Sequence, residues 1–313
     1  MTAVFRVVAP GLLTTVQDLG RPHATSSGVS PGGAMDRFAH AAANLLVGNQ
    51  REAATLECTL RGPRLVAERD CLVAIAGADL DPRVNGAPAA MWTAVELKAE
   101  DELAFGSRRA GTRAYIAVAG GIVAERWLGS MSTDLLVGRG GMHGRPLTEG
   151  DVIEAAPPDA TPPTDRSLPE AMRPDYAGHS LHAIAGPQAG RLTASSRQAL
   201  FGETFSVSVD SNRMGYRLDG PPLEAPGDEL LSFALVAGAV QLPSGGRPIL
   251  LMADHQTAGG YPVVAVVVSA SMPVAAQLAP GDELRFVETP MARALAMRAA
   301  QREALDSLRI WSM

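Results

Sequence analysis

Lysine is almost missing from this 313-residue chain: Lys98 is the only one, and every other fixed side-chain cation is arginine. With no Gly-Lys pair, a phosphate loop of the Gly-Lys-Ser/Thr type is excluded. Schiff-base chemistry is confined to Lys98. That residue sits in Val95-Glu96-Leu97-Lys98-Ala99-Glu100, an alternation that reads as the solvated face of a strand. Cysteine is nearly as scarce. Cys58 and Cys71 form no Cys-x-x-Cys unit and no disulfide framework, so they read as buried thiols in a reducing compartment, and no metal site is expected. Aromatics make up 4%, which leaves Val, Leu, Ile and Ala to build the core. Long apolar runs are absent too. The longest, near Val263–Val268, is too short to span a bilayer, and Met1-Thr2-Ala3-Val4-Phe5-Arg6 lacks the basic-then-apolar pattern of a signal peptide. The expectation is a soluble, cytoplasmic protein. A net charge of -6 with no basic block argues against a nucleic-acid surface.

Glycine (32) and proline (23) are plentiful, which suits many short strands joined by tight turns. One helix stands out in the first half, Ala34–Val47, with Met35, Phe38, Ala42, Leu45 and Leu46 at helical spacing and Gly48 as its stop. The stretch before it, Thr14 to Gly33, reads as a loop. Period-two patterning then predicts strands at 55–60, 64–67, 71–76, 95–98, 102–105, 113–119 and 151–155, and later at 181–185, 205–209, 248–252, 262–269 and 283–287. This divides the chain into an N-terminal β domain (1–156), a proline-rich linker (157–177), a C-terminal β domain (178–290) and a terminal helix (291–313).

Four constellations carry candidate chemistry. Val16-Gln17-Asp18-Leu19-Gly20-Arg21-Pro22 and Gly28-Val29-Ser30-Pro31-Gly32-Gly33 lead to the helix N-terminus, where free backbone N–H groups can hold an anion or a carbonyl oxygen. Gly28–Gly32 also matches the Gly-x-Ser-x-Gly elbow, but Pro31 removes the N–H that an oxyanion hole needs after Ser30. Asp210-Ser211-Asn212-Arg213-Met214-Gly215 offers a guanidinium fork and an amide in a polar loop. Val240-Gln241-Leu242-Pro243 runs toward Asp254-His255-Gln256-Thr257-Ala258-Gly259-Gly260-Tyr261-Pro262, polar groups at the mouth of a buried strand. Adjacent residues of an extended strand face opposite ways, so Asp254 and Gln256 are favoured over His255.

These segments, in this order, resemble the family that includes allophanate hydrolase subunit 2, the KipI antagonist and the C subunit of 5-oxoprolinase, and that also forms subdomains A and B of the urea carboxylase carboxyltransferase. The resemblance rests on Val16–Pro22, Gly28–Arg37, Asn44–Asn49, Ala76–Leu80, Arg113–Ile122, Ser211–Pro221, Gly238–Pro243, Leu250–Val264 and Gln277–Asp282. The family usually carries Glu where this chain has Phe233. The resemblance implies a mainly β protein with few helices, built as two cyclophilin-like β-barrel domains. It implies a partner, the B subunit or KipI-like protein, and for 5-oxoprolinase a third subunit. It also implies ATP-dependent opening of 5-oxoproline to glutamate, ATP acting with the complex. The alternatives are a biotin-dependent carboxyltransferase component, with biotin on another chain, and a non-catalytic regulator that binds a KipI-like protein. The shared chemistry is polarisation of an amide or ureido carbonyl, which needs donors at a developing oxyanion and an acceptor for N–H. On this reading Asp254, Gln256 and Arg213 are catalytic, and Gln17, Asp18, Arg21, Ser30, Asn212, Gln241 and Tyr261 bind a small amide substrate. Asp254→Ala is expected to abolish activity and leave the fold intact.

Overall fold

The computed structural model describes residues 2–309. It is mostly β, as expected, and divides into two compact units. One comprises the chain to Gly20, Gly32–Pro174 and the chain from Gln301; the other comprises Arg21–Pro31 and Asp175–Ala300. Residues 157–174, read from the sequence as linker, belong to the first unit. The cause is local anchoring: Leu168 is fully buried, Arg166 donates from Nη1 to Leu45 O at 2.8 Å, and Thr93 and Ser167 form an isolated bridge. The terminal helix spans Met291–Ser307. Among the described residues no helix is long and apolar enough to cross a membrane.

Among the described residues, the first unit holds two antiparallel sheets. Seven strands run in the order Ile122–Val123, Val152–Ala155, Thr2–Ala9, Arg64–Ala67, Glu102–Phe105, Pro82–Val84 and Ala87–Pro88. Five more run Leu13–Gln17, Thr55–Thr59, Ala110–Val118, Cys71–Asp79 and Ala94–Leu97. Aliphatic side chains of both sheets, among them Val4, Leu65 and Leu103 with Leu56, Ile75 and Ile116, form one core. That composition follows from the shortage of aromatics. Gly77 marks a bulge: its φ is +92°, a Cβ there would lie 2.4 Å from Arg113 O, and the register with Ala110–Val118 shifts beside it. The helix Arg37–Leu46 has Asp36 as its N-cap, with the side chain accepting from Ala39 N, and every residue from Phe38 to Leu46 is buried. A helix covered on all sides needs small residues, which its four alanines supply.

Leu13–Gln17 corrects the expected loop at Thr14–Gly33. It is a strand, paired along its whole length with Thr55–Thr59. Cys58 is buried, whereas Cys71 is only partly so; burial pushes the Cys58 thiol far up and that of Cys71 to about 11.

In the second unit the sheet closes into a barrel. The order is Ser180–Ala185, Val263–Val267, Ala239–Gln241, Ile249–Leu251, Gly215–Asp219, Phe205–Val207 and Glu283–Glu288, and the last strand pairs in parallel with the first. Closure removes the exposed edges that an open sheet presents. Phe205 and Phe286, with ring centroids 5.9 Å apart, are fully buried, and each contributes about 2–3 kcal/mol of transfer free energy. The short ribbon Phe233–Ala234 with Ala258–Gly259 stands outside the barrel ladder.

Candidate functional site

Gln241 ends a barrel strand and is 1% exposed. Its Oε1 accepts from Gln256 Nε2 at 3.1 Å, which leaves Gln241 Nε2 as the hydrogen-bearing end of the amide. That nitrogen is buried with no hydrogen-bond partner among the described residues. A buried donor left unused costs about 1–3 kcal/mol, which makes Gln241 Nε2 a candidate donor to a bound group. Gln256 is itself exposed, and its carbonyl accepts from His255 Nδ1 at 2.8 Å. Burial lowers the pKa of His255, so the neutral ring with Nδ1–H anchors the loop.

Arg213 and Asp254, expected as separate catalytic groups, form one unit. Nε and Nη2 of Arg213 donate to Oδ2 and Oδ1 of Asp254 at 2.8 and 3.1 Å. The backbone couples them again, Asp254 N donating to Arg213 O at 2.9 Å. The fork fixes the guanidinium plane, and the acid expected to accept a substrate N–H already accepts from arginine. Asn212 Oδ1 accepts from Met214 N at 2.8 Å, a turn that starts the strand Gly215–Asp219. Tyr261 is half exposed. With Arg191, Glu224, Asp228, Leu242 and Ser244 it lines a cavity of about 630 Å³. The lining is acidic: Glu229 joins the two carboxylates named, against one guanidinium. Such a wall does not fit a triphosphate. Lys98, the only lysine, is exposed and pairs with Asp70 at 3.1 Å. ATP therefore finds no matching donor set at either place.

In the first unit Gln17 and Asp18 follow one another at the end of Leu13–Gln17, but both are engaged internally. Asp18 Oδ1 accepts from Gly20 N, Ser130 Oγ and Ser132 Oγ at 2.7, 2.6 and 2.7 Å, and Oδ2 accepts from Met131 N at 2.6 Å. Asp18 is thus a hub that ties two loops together. Gln17 Nε2 donates to Thr15 Oγ1 and Thr133 O at 3.0 and 3.3 Å, while its Oε1 is buried without a hydrogen-bond partner among the described residues. In the segment that clusters with the second unit, Arg21 is fully buried, and Ser30 is half-buried, its Oγ without a hydrogen-bond partner among the described residues.

The helix N-terminus, expected to offer free N–H groups to an anion or a carbonyl oxygen, has donors engaged within the chain. Met35 N donates to Glu57 Oε2 at 2.9 Å, Asp36 N donates to Tyr115 Oη at 2.7 Å, and that hydroxyl donates to the same Glu57 oxygen at 2.7 Å. Glu57 is the anion that the helix end holds. Burial, then Glu57 and Asp36, raise the Tyr115 phenol well above its ordinary value. Nearby His40 is buried and lowered to about 4, with Nδ1 2.9 Å from Thr55 Oγ1. That hydroxyl also donates to Gln17 O at 3.4 Å. Sequence reasoning missed Glu57, Tyr115 and His40. The available signal was Thr55-Leu56-Glu57-Cys58-Thr59, a strand whose polar residues share one face.

Residues 27–288 match the carboxyltransferase domain, subdomain A and B. The chain belongs to this family. This carboxyltransferase-family chain is 38% identical to the C subunit of 5-oxoprolinase from Escherichia coli K12 over 97% of each chain. It is 32% identical to the Lachancea kluyveri urea amidolyase, aligning with 97% of this chain and 18% of that protein. Among solved structures, the Kluyveromyces lactis urea carboxylase matches with a TM-score of 0.91 at 29% identity, over 98% of this chain and 29% of that one. The K. lactis urea amidolyase matches with a TM-score of 0.91 at 30% identity, and there the chain spans a fifth of the longer protein.

Proposed function

We propose that this chain is one component of an ATP-dependent 5-oxoprolinase-type complex, in which it binds the lactam of 5-oxoproline for opening to glutamate. The end-to-end match to a 5-oxoprolinase component carries this reading. In it, Gln241 Nε2–H donates to the lactam carbonyl, and the Arg213 guanidinium, held by Asp254, adds positive charge as the carbonyl oxygen becomes an oxyanion. Gln256 holds Gln241 in its donating orientation, and Tyr261 lines the acidic cavity. The acidic cavity and the exposed, ion-paired lysine favour nucleotide handling by the partners, a B-type or KipI-like protein and a third component. The test is to mix the chain with those partners, ATP and 5-oxoproline, and follow ADP and glutamate. Absence of turnover that depends on this chain would sink the reading, and partner binding without turnover would favour a regulator.

The likeness to the K. lactis urea carboxylase supports a second reading, transfer of a carboxyl group from biotin to a urea-like acceptor. The same Gln241 donor suits a ureido carbonyl. Biotin would arrive on another chain, because Lys98 in Leu97-Lys98-Ala99 lacks the Met-Lys-Met surroundings of an attachment site. Failure to bind a biotinylated carrier domain would count against it.

A further inference from the structure

Gly259 lies in the outlying ribbon, paired with Phe233. Its φ is outside the left-handed region, so the backbone there does not require glycine. What position 259 lacks is a side chain. A Cβ would stand 3.1 Å from Gln241 Nε2, 3.7 Å from Gln256 Nε2 and 3.0 Å from Leu235 Cδ1. The missing methyl group therefore borders the buried, unpartnered donor of Gln241 on one side and Leu235 on the other. Leu235 belongs to an apolar cluster with Ala239, Leu251 and Val263. A donor beside an apolar wall suits a neutral carbonyl with a hydrocarbon flank better than a free carboxylate, whose desolvation one amide N–H does not offset.

We propose that Gly259 is the specificity-determining residue of this site. Its absent side chain leaves unfilled the ground beside Gln241 Nε2–H that the oxygen of a small neutral carbonyl, a cyclic amide or a urea, would take, and any side chain at 259 occupies it. The proposal rests on the reading of Gln241 as the substrate donor.

The experiment uses the full chain labelled with ¹⁵N at glutamine side chains and titrated with 5-oxoproline, 2-pyrrolidinone and urea. The Gln241 NH₂ resonance is assigned by its loss in Gln241→Leu. At least one probe is expected to shift it in the wild type. Gly259→Ala is expected to weaken that probe about tenfold or more, as one misplaced methylene does in a fitted pocket. Gly245→Ala, where a Cβ meets nothing within 4 Å, should bind like the wild type. Thermal melting checks folding. Should Gly259→Ala not fold, adding Leu235→Val relieves the tighter contact while the methyl group still faces Gln241. A Gln241 resonance unmoved by all three probes, or equal affinity in wild type and Gly259→Ala, overturns the proposal. Turnover by the reconstituted wild-type complex is measured separately. Its absence alongside intact, Gly259-dependent binding would sink the oxoprolinase reading and leave this inference standing.

Discussion

Arg213 and Asp254 are joined by two parallel hydrogen bonds, and the arginine side chain is the more buried partner, 9% exposed against 21%. Removing the carboxylate takes two charge-assisted hydrogen bonds from a mostly buried guanidinium, so Asp254→Ala should lower stability by about 1–3 kcal/mol. Asp254→Asn keeps an acceptor oxygen and should cost less. Urea midpoints at an unchanged m-value measure both. This alters the expectation that Asp254→Ala leaves the fold intact: loss of activity in that variant needs a stability measurement beside it. Arg213→Lys keeps the charge but loses the fork, and should reduce turnover even where the protein stays folded.

The Gln241 donor makes a separate prediction. In the reconstituted complex, Gln241→Leu should lower kcat/KM for 5-oxoproline about 10²–10³-fold, the usual effect of deleting one oxyanion donor. Leucine removes a buried nitrogen without a partner but also gives up the bond from Gln256 Nε2, so the thermal midpoint should change little. A variant with wild-type turnover would remove Gln241 from the site.

Acid should destabilise the first unit through His40. Its ring titrates at about 4 when folded and at 6.5 in the unfolded chain; burial is the main cause, opposed by Asp18 and Glu57 and reinforced by Arg37. Above pH 6.5 the ring is neutral in both states and contributes no pH dependence. Between 6.5 and about 4 the unfolded chain takes up a proton that the native state refuses, so stability falls, by about 3 kcal/mol across the window. Below that both states are protonated and the loss levels off. His40→Gln should show a shallower decline when its urea midpoints at pH 7, 5.5 and 4.5 are compared with those of the wild type.

Tyr115→Phe should be costly although it removes a single oxygen. The hydroxyl donates to Glu57 and accepts from Asp36 N, so its loss takes one partner from a buried carboxylate and one from the helix end. A decrease of about 2–3 kcal/mol in unfolding free energy is expected. A change below ~0.5 kcal/mol would show that water replaces the hydroxyl.

The family and the β character were legible because many short segments keep their order and turn chemistry. Strands with one wet face, such as Val152–Ala155, declared themselves by alternation. Leu13–Gln17 did not, because Thr14, Thr15, Val16 and Gln17 are all buried and the polar members mimic a loop. The roles at the site were less legible. Nothing in the chain order reveals that Arg213 is already spoken for by Asp254, or that Glu57 reaches the helix end from a neighbouring strand. Partners are set by register, and register appears only when the sheets assemble. Gly259 was hidden for the opposite reason: its contribution is the space it leaves.

The parallel pair that closes the barrel has a mechanical consequence. Ser180 lies beside Arg285 and Ala183 beside Glu288, so the chain enters the barrel at one end of this ladder and leaves at the other. Tension applied through the two flanks pulls the strands past each other along their length. The hydrogen bonds of the seam then carry load together instead of opening one after another, so the barrel resists stretching in the direction in which a longer chain threaded through it would pull.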